Sequence, residues 1–213
     1  MKFLIDTSKA NLERLNCDLV AGQLLTPLTN YKNCGETFAM DNGAFAGFDR
    51  QSFFRMLKRN EEHKERCLFV TVPDIVGSAV RTRELYFHFT QLDEMKPWTD
   101  KWSFVMQDGM QHERIDWYAM RHIFIGGSND FKDSNAAYDI AKTAKALGVS
   151  VHVGRVNTYK RYRKFADLGA DTCDGSGIAK YDHMLIEIKK RQATSMPQQT
   201  QENLFGEPCK TNA

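Results

Sequence analysis

The hydrophobic positions along the chain fall into short, β-rich apolar runs that alternate with longer amphipathic stretches. Short apolar runs bounded by turn residues are typical of buried strands, whereas apolar residues at helical spacing are typical of helices that pack on a sheet. The pattern predicts strands at Lys2–Ile5, Leu19–Leu25, Thr37–Met40, Leu68–Val72, Ser103–Met106, His122–Ile125, Val149–Val153 and Asp171–Cys173.

Helices are predicted between and after these strands, and several have recognisable ends. Ser78 and Ser134 suit helix N-caps, because a serine hydroxyl accepts a hydrogen bond from a first-turn amide. Gly148 and Gly169 stand where a left-handed residue ends a helix. The connection from Thr26 to Glu36 is predicted to be a loop. The predicted helices are Ser8–Leu15, Gln51–Glu62, Ser78–Glu94, His112–Met120, Ser134–Leu147, Thr158–Leu168 and Asp182–Arg191.

The alternation of strands and helices predicts a parallel α/β fold, and the strand count favours a compact (β/α)8 TIM-like barrel over residues 1–191. A doubly wound open sheet is the alternative, although no G-x-G-x-x-G motif follows the first strand. From Gln192 onward the sequence is polar, rich in glutamine and almost without apolar residues. Residues 192–213 are therefore predicted to form a disordered tail.

Composition limits the classes of partner. The 213 residues carry a formal net charge of only +2, so binding to a polyanion must come from local clusters of charge. The five cysteines have no metal-like spacing, which predicts reduced thiols. The first apolar run is too short for a signal peptide, and no stretch reaches membrane-span length. We therefore expect a soluble, cytoplasmic protein without a membrane partner.

Polar residues and glycines directly follow six of the predicted strands. In a barrel the carboxyl ends of all strands meet on one face, where active sites are built. A single Asp-Gly pair is more simply a turn, but the whole set predicts a functional site. The segments are Asp41–Phe45, Pro73–Asp74, Gln107–Gly109, Gly126–Ser128, Gly154–Arg155 and Asp174–Gly177.

Two aspartates carry the predicted chemistry. Asp171 and Asp174 are three positions apart, so they point to opposite faces of a strand, and Asp174, beside the glycines, is better placed to enter the pocket. Asp41 ends its own strand, with the small residues Thr37 and Ala39 on the same face. Two carboxylates in one pocket suit chemistry at a sugar carbon, where one attacks and the other transfers protons. Either carboxylate could instead be held by backbone amides at a helix start.

The ordered motifs D-N-G-A-F, P-D, Q-D-G, G-G-S, V-G-R and G-A-D-T-C-D-G resemble those of the tRNA-guanine transglycosylase superfamily, over about Thr37 to Lys180. The chain looks most similar to the short, often phage-encoded branch that inserts 7-deazaguanines into DNA. The resemblance implies a pentosyl transferase that exchanges guanine in DNA for a 7-deazaguanine base through a covalent glycosyl-aspartate. Such an enzyme would work in the host cytoplasm if it is phage-encoded.

The resemblance also implies a role for each matching residue. Asp174 would be the nucleophile that attacks C1′ of the nucleotide, and Asp41 would be the general acid and base. The base site would be flat, with an aromatic face, glycine walls and a few fixed polar groups. Its implied members are Phe45 as the stacking face, Asp74 and Gln107 as hydrogen-bonding partners of the Watson–Crick edge and carbonyl, and Gly126 and Gly127 as backbone N–H donors.

Two departures from the tRNA enzymes change the expected cofactor and substrate. Those enzymes hold zinc with closely spaced cysteines and a histidine, and the scattered histidines here match no such spacing. We therefore expect no zinc and no other cofactor, with the 7-deazaguanine base as co-substrate. The elements that grip a tRNA are also missing, which favours DNA. Ala44 stands where the tRNA enzymes usually have glycine, a small change.

A basic run, RVNTYKRYRK, follows the seventh predicted strand and is therefore expected on the rim of the site. A solvated helix face is the simpler alternative, but beside a pocket the run favours nucleic-acid contact, with Tyr159 and Tyr162 stacking on bases. Gly175 and Gly177 would clear space for the nucleotide, and their amides would hold its phosphate. The predicted phosphate contacts are Arg155, Lys160, Arg161, Arg163, Gly175 and Gly177.

In the tail, Gln201–Phe205 reads QENLF and resembles the Q-x-x-L-F peptides that dock on DNA sliding clamps, although five residues can match by chance. Three other functions remain open. The same exchange could act on tRNA, or a (β/α)8 enzyme could bind a small phosphorylated sugar through Gly154–Arg155 and Gly175–Gly177. The third is a nucleic-acid-binding protein with an inactive pocket.

Overall fold

Eight parallel strands form a closed barrel in the computed structural model, which describes residues 1–5, 18–28, 37–180 and 182–195. Each strand pairs with the next in the sequence, and the last pairs with the first through Phe3 and Cys173. This confirms the predicted (β/α)8 fold and excludes the open doubly wound sheet. The strands are β1 (Lys2–Ile5), β2 (Val20–Leu25), β3 (Phe38–Met40), β4 (Cys67–Thr71), β5 (Trp102–Met106), β6 (His122–Ile125), β7 (Ser150–Val153) and β8 (Thr172–Cys173).

The described helices lie outside the barrel, and two of them begin after the predicted caps. Ser78 and Ser134 accept hydrogen bonds from first-turn amides, and Gly148 and Gly169 have φ of 76° and 86°, as helix-ending glycines do. None of these helices is both long and apolar enough to cross a membrane. They are α1 (Arg50–Asn60), α2 (Ala79–Thr90), α3 (Asn129–Asp133), α4 (Asn135–Ala146), α5 (Tyr159–Asp167), α6 (Gly177–Lys180) and α7 (Asp182–Ser195).

The helix predicted at His112–Met120 is wrong. Two short 3-10 segments, Met110–His112 and Trp117–Ala119, occupy this region instead. Ile115 and Trp117 both pack against the core. Residues two apart cannot share one face of a helix, so the tertiary packing favours an irregular path.

Four further predictions concern residues at or beyond the limits of the described structure. Helix α7 runs through Ser195, so residues 192–195 of the predicted tail are helical. The predicted helix Ser8–Leu15, residues 29–36 of the predicted loop and the Gln201–Phe205 peptide lie outside the described residues.

An apolar layer inside the barrel supports the site. Its buried members come from six strands; they are Leu4, Leu24, Ala39, Phe69, Val105 and Phe124. Val105 and Phe124 also line the cavity above this layer, so the layer forms the floor of the cavity, and the polar residues at the strand ends form its walls.

Candidate active site

A cavity of about 300 Å³ opens at the carboxyl ends of the strands. This volume is at the small end of the range for ligand sites and suits a single heterocycle or sugar. The structure brings together at its walls all the predicted catalytic and base-binding residues and one predicted phosphate contact: Asp41, Phe45, Asp74, Gln107, Gly126, Gly127, Arg155 and Asp174.

Asp174 follows β8 and presents one carboxylate oxygen to the protein. Its Oδ1 accepts hydrogen bonds from the Arg155 backbone N–H at 3.1 Å and from Nε2 of His152 at 3.0 Å. None of the described residues donates a hydrogen bond to Oδ2. Asp171 points to the other face of the strand, where it pairs with Lys145. The alternation of side chains along β8 therefore selects Asp174 for the cavity, as predicted.

Asp41 lines the same cavity from the end of β3. Its Oδ1 accepts a hydrogen bond from the Gly43 backbone N–H at 2.9 Å. Gly43 has a φ of 77°, a left-handed conformation that glycine adopts readily, and it precedes the 3-10 segment Ala44–Ala46. The sequence left two interpretations of Asp41 open: a carboxylate held by backbone amides, or a carboxylate that lines the pocket. In the structure Asp41 is both.

Asp74 is buried at the centre of a fixed amide network. Asn42 Nδ2 donates to one of its oxygens at 2.7 Å, and Gln107 Nε2 donates to the other at 2.5 Å. The Gly77 backbone N–H donates to Gln107 Oε1, which orients the amide. Burial raises the pKa of Asp74 above its usual range, although the two amide hydrogen bonds oppose this shift. The network is a rigid polar edge on one wall of the cavity.

The two wall glycines differ in what they offer. The Gly126 N–H donates to the Met106 carbonyl, so its predicted role as a backbone donor to a base is wrong, although Gly126 lines the cavity. A Cβ on Gly126 would lie 2.7 Å from Val105, which explains the glycine by packing. Gly127 N–H has no partner among the described residues. The Gly127 carbonyl accepts hydrogen bonds from buried Lys132 and from Arg155.

Arg155 covers the predicted stacking face. Its guanidinium carbon lies 3.9 Å from the ring centroid of Phe45, a ring that is 68% exposed. Arg155 also has a φ of 55°, which is unusual for a residue with a side chain and directs its backbone N–H to Asp174. One face of the Phe45 ring is therefore covered by Arg155, and a planar ligand that used this ring would have to take the other face or displace Arg155.

Helix α5 buries part of the basic run that was predicted to face nucleic acid. Arg161 is 6% exposed and forms a two-pronged ion pair with Asp133, so its predicted phosphate contact is wrong. Tyr162 is also buried, stacks on Phe3 at 5.5 Å and donates its hydroxyl to the Met1 carbonyl. Both residues lie on the inner face of α5, where neither can reach a base or phosphate.

The remaining cations of α5 lie away from the cavity. Lys160 and Arg163 are exposed and line an outer groove together with Asp133 and Asp167. Lys164 is bound to the carbonyls that end α3. The structure therefore leaves Arg155 as the one member of the predicted cationic set that lines the cavity.

The two glycines after β8 allow the loops that follow β7 and β8 to pack closely. A Cβ on Gly175 would lie 2.4 Å from the Val156 carbonyl oxygen, so only glycine allows the β7 and β8 loops to approach this closely. The Gly177 N–H is buried and donates to Asn157 Oδ1 at 3.1 Å. Gly177 is therefore not a phosphate ligand, and the small size of Gly175 reflects backbone contact rather than space for a nucleotide.

Sequence reasoning missed two residues of the site, Asn42 and His152. Asn42 is 1% exposed and links Asp74 to the Val72 carbonyl. His152 lies within β7 and is buried between Phe69 and Phe124, with ring centroids 4.9 and 4.6 Å away. A histidine inside an otherwise apolar strand is the signal that could have drawn attention to it.

The described residues were compared with the arrangements of side chains that bind metal ions. Among the described residues, no group of three or more histidine, cysteine, aspartate or glutamate side chains is arranged to hold a metal ion. The expectation that the protein needs no zinc stays a prediction.

Comparison with known proteins identifies no family for this chain. No family model and no curated protein matches it. Among the solved structures, two that are similar to it each have 12% sequence identity. One is described as a glycerophosphoryl diester phosphodiesterase from Agrobacterium tumefaciens str. C58, with a TM-score of 0.43 over 74% of this chain; the chain spans 59% of that protein's length. The other is QR15, an aldolase, with a TM-score of 0.49 and coverage of 88% of both chains.

Proposed function

We propose that this barrel is an enzyme that exchanges a purine-like base at the N-glycosidic carbon of a nucleotide, with Asp174 as nucleophile. The observation that carries the proposal is that Asp174 and Asp41 line one small cavity together with the fixed Asp74–Gln107 edge. A cavity with two carboxylates and a rigid hydrogen-bonding edge can bind a flat heterocycle and act on the carbon attached to it.

The exchange proceeds by two displacements. Asp174 Oδ2 attacks C1′ while the C1′–N9 bond breaks, and the departing guanine takes a proton from Asp41. The incoming base then attacks C1′, the bond to Oδ2 breaks, and its electron pair returns to the Asp174 carboxylate. Asp41 accepts the proton that the incoming base loses. Two inversions at C1′ give overall retention of configuration.

The network around Asp74 supplies base recognition. Asp74 and Gln107 hold each other in one orientation, so their remaining hydrogen-bonding capacity points in a fixed direction. A guanine presents two adjacent N–H donors on its Watson–Crick edge, which a carboxylate accepts well. Burial strengthens these bonds, because water does not compete for the same groups.

The identity of the polymer and of the incoming base rests on the sequence resemblance. DNA and a 7-deazaguanine are the proposed substrates, and tRNA is the nearest alternative. Few of the predicted cations are available to bind the polymer, because Arg161 is buried and Lys160 and Arg163 lie on the outer side of α5. Arg155 is thus the proposed phosphate contact at the cavity. Access to duplex DNA requires the target nucleotide to be flipped out of the stack.

A (β/α)8 enzyme acting on a small phosphorylated sugar is the second candidate. Barrels of this kind frequently bind phosphate with the loops after the seventh and eighth strands, and here the β7 loop presents Arg155 to the cavity. The Gly177 amide, however, already donates to Asn157 and is not available to a phosphate. The two similar solved structures are named a phosphodiesterase and an aldolase, and at TM-scores of 0.43 and 0.49 the likeness carries no argument about the reaction.

A trapping assay tests the proposal. The protein is incubated with DNA or tRNA that carries labelled guanine, together with a 7-deazaguanine, and guanine release and a denaturation-resistant adduct are followed. We expect release and adduct with DNA, and loss of both in Asp174→Asn. Asp171→Asn is the matched control, because that carboxylate lies three positions away and faces Lys145 outside the barrel.

Each of the other results of this assay shows which part of the proposal is wrong. Adduct with tRNA alone keeps the chemistry and replaces the polymer. No release from either polymer, together with phosphate-dependent binding of a phosphorylated sugar that Arg155→Met abolishes, favours the second candidate. Nucleic-acid binding that is unchanged in Asp174→Asn, without turnover by the parent protein, indicates an inactive pocket.

A further inference from the structure

The buried imidazole of His152 contacts the candidate nucleophile directly. Its Nε2 lies 3.0 Å from Asp174 Oδ1, and its Nδ1 lies 2.9 Å from the Thr172 hydroxyl. An ionised carboxylate only accepts hydrogen bonds, so Nε2 must carry the proton of this contact. The Thr172 hydroxyl can donate to Nδ1 and thereby keep the proton of a neutral imidazole on Nε2.

The imidazole is also held by its neighbours in the barrel interior. His152 is 2% exposed, and the rings of Phe69 and Phe124 pack against it. Gly154 is needed for this arrangement, because a Cβ there would lie 2.5 Å from Phe124. The ring is therefore fixed by aromatic packing and by a hydrogen bond at each nitrogen.

We infer that His152 is a positioning residue that makes Asp174 Oδ2 the attacking atom. His152 and the Arg155 backbone N–H both donate to Oδ1, which fixes the rotation of the carboxylate. None of the described residues donates to Oδ2, so that oxygen keeps its lone pairs for C1′. The inference rests on the proposed base exchange, and it assigns a function to a group that the double displacement itself does not use.

The same contact serves both halves of the reaction. When Oδ2 forms the bond to C1′, Oδ1 becomes the carbonyl oxygen of the glycosyl ester and keeps its hydrogen bond from Nε2. When the incoming base breaks the Oδ2–C1′ bond, the electron pair returns to the carboxylate, and the donors on Oδ1 stabilise the charge that develops there. No proton leaves His152 in either step.

The test compares His152→Leu, which removes the donor, with His152→Gln, whose side-chain amide can place an N–H near the original Nε2. We expect kcat for guanine release to fall about 10²-fold in His152→Leu, because a misplaced nucleophile costs roughly that factor. KM is expected to stay within about twofold, since the base edge at Asp74 is untouched. His152→Gln is expected to recover at least about tenfold of the loss.

The matched control is His122→Leu. His122 is a second largely buried barrel histidine near Phe69, with ring centroids 6.3 Å apart, and it pairs through its strand with Ser150 rather than contacting Asp174. Its rate is expected to equal that of the parent. If His152→Leu does not fold, His152→Met takes its place, because methionine also lacks the N–H donor and its flexible side chain adapts to the space between the rings.

The outcomes separate this inference from the proposed function. If the parent protein exchanges bases and the rate of His152→Leu, or of His152→Met where the first variant is unfolded, stays within about threefold of the parent rate, the positioning role alone is overturned. An equal loss in His152→Gln and His152→Leu, or an increase in KM without a change in kcat, also overturns it. The absence of exchange in the parent protein refutes the proposed function and removes the role of His152 with it.

Discussion

The burial of Arg161 leads to a measurable prediction, because the same residue was expected from the sequence to contact phosphate. In Arg161→Met the aliphatic part of the side chain is retained and the guanidinium is removed. That guanidinium donates to Asp133, to Asn129 and to the Arg155 carbonyl, and so it ties the β7 loop to α3. Its loss removes these hydrogen bonds and the ion pair, and with them the link between the loop and the helix.

The magnitude follows from these contacts. The hydrogen bonds to Asn129 Oδ1 and the Arg155 carbonyl, both 3.1 Å long, contribute about 1 kcal/mol each. The ion pair with Asp133 contributes at most about 1 kcal/mol, since the side chain of Asp133 is 54% exposed and water screens the charge. We expect the free energy of unfolding to fall by about 2–3 kcal/mol and Tm to fall by about 4–12 °C.

Thermal unfolding followed by circular dichroism measures the change, with urea unfolding as a second determination of the free energy. Arg163→Met is the control, because Arg163 is an exposed cation on the same helix, and its effect is expected within about 0.5 kcal/mol. If Arg161→Met melts like the parent and loses nucleic-acid binding instead, the buried structural role is wrong and the phosphate contact is right.

The remaining predictions concern the cavity and its loops. Phe45→Ala is expected to leave stability unchanged, because the ring is 68% exposed, but to weaken base binding at least about fivefold, as loss of a stacking face does, measured by titration with free base. Gly175→Ala is expected to destabilise the fold by about 1–3 kcal/mol more than Gly148→Ala in urea unfolding, since only the first Cβ meets backbone, the Val156 carbonyl; equal losses contradict this reading. Burial raises the pKa of Asp74, so its carboxyl favours folding below its ordinary pKa of 3.8, and this contribution is lost as pH rises through the higher folded-state pKa. The free energy of unfolding of Asp74→Asn relative to the parent is therefore expected to increase with pH above about 4, and a constant or falling difference contradicts the raised pKa.

Several features of the site followed from local pattern alone. Buried parallel strands are short and apolar, which is why all eight could be located from the sequence within one or two residues. A closed parallel barrel places every strand end on one face, so Asp41, Asp74, Gln107 and Asp174 were expected to meet and do meet.

The assignments that failed depended on contacts between distant parts of the chain. From the sequence, Arg161 is predicted to be a surface cation, but in the fold it pairs with Asp133, 28 positions earlier. Gly177 is predicted to bind an anion, but its N–H donates to Asn157. In the sequence, His152 is only one polar residue in an apolar strand. The pairing of β7 with β8 places its Nε2 3.0 Å from Asp174 Oδ1. The barrel and the residues around its mouth could be predicted without a structure, because hydrophobic periodicity and strand-end position are local properties. Which polar groups can contact a ligand depends on the folded barrel, because a hydrogen bond between distant segments exists only after the barrel has closed.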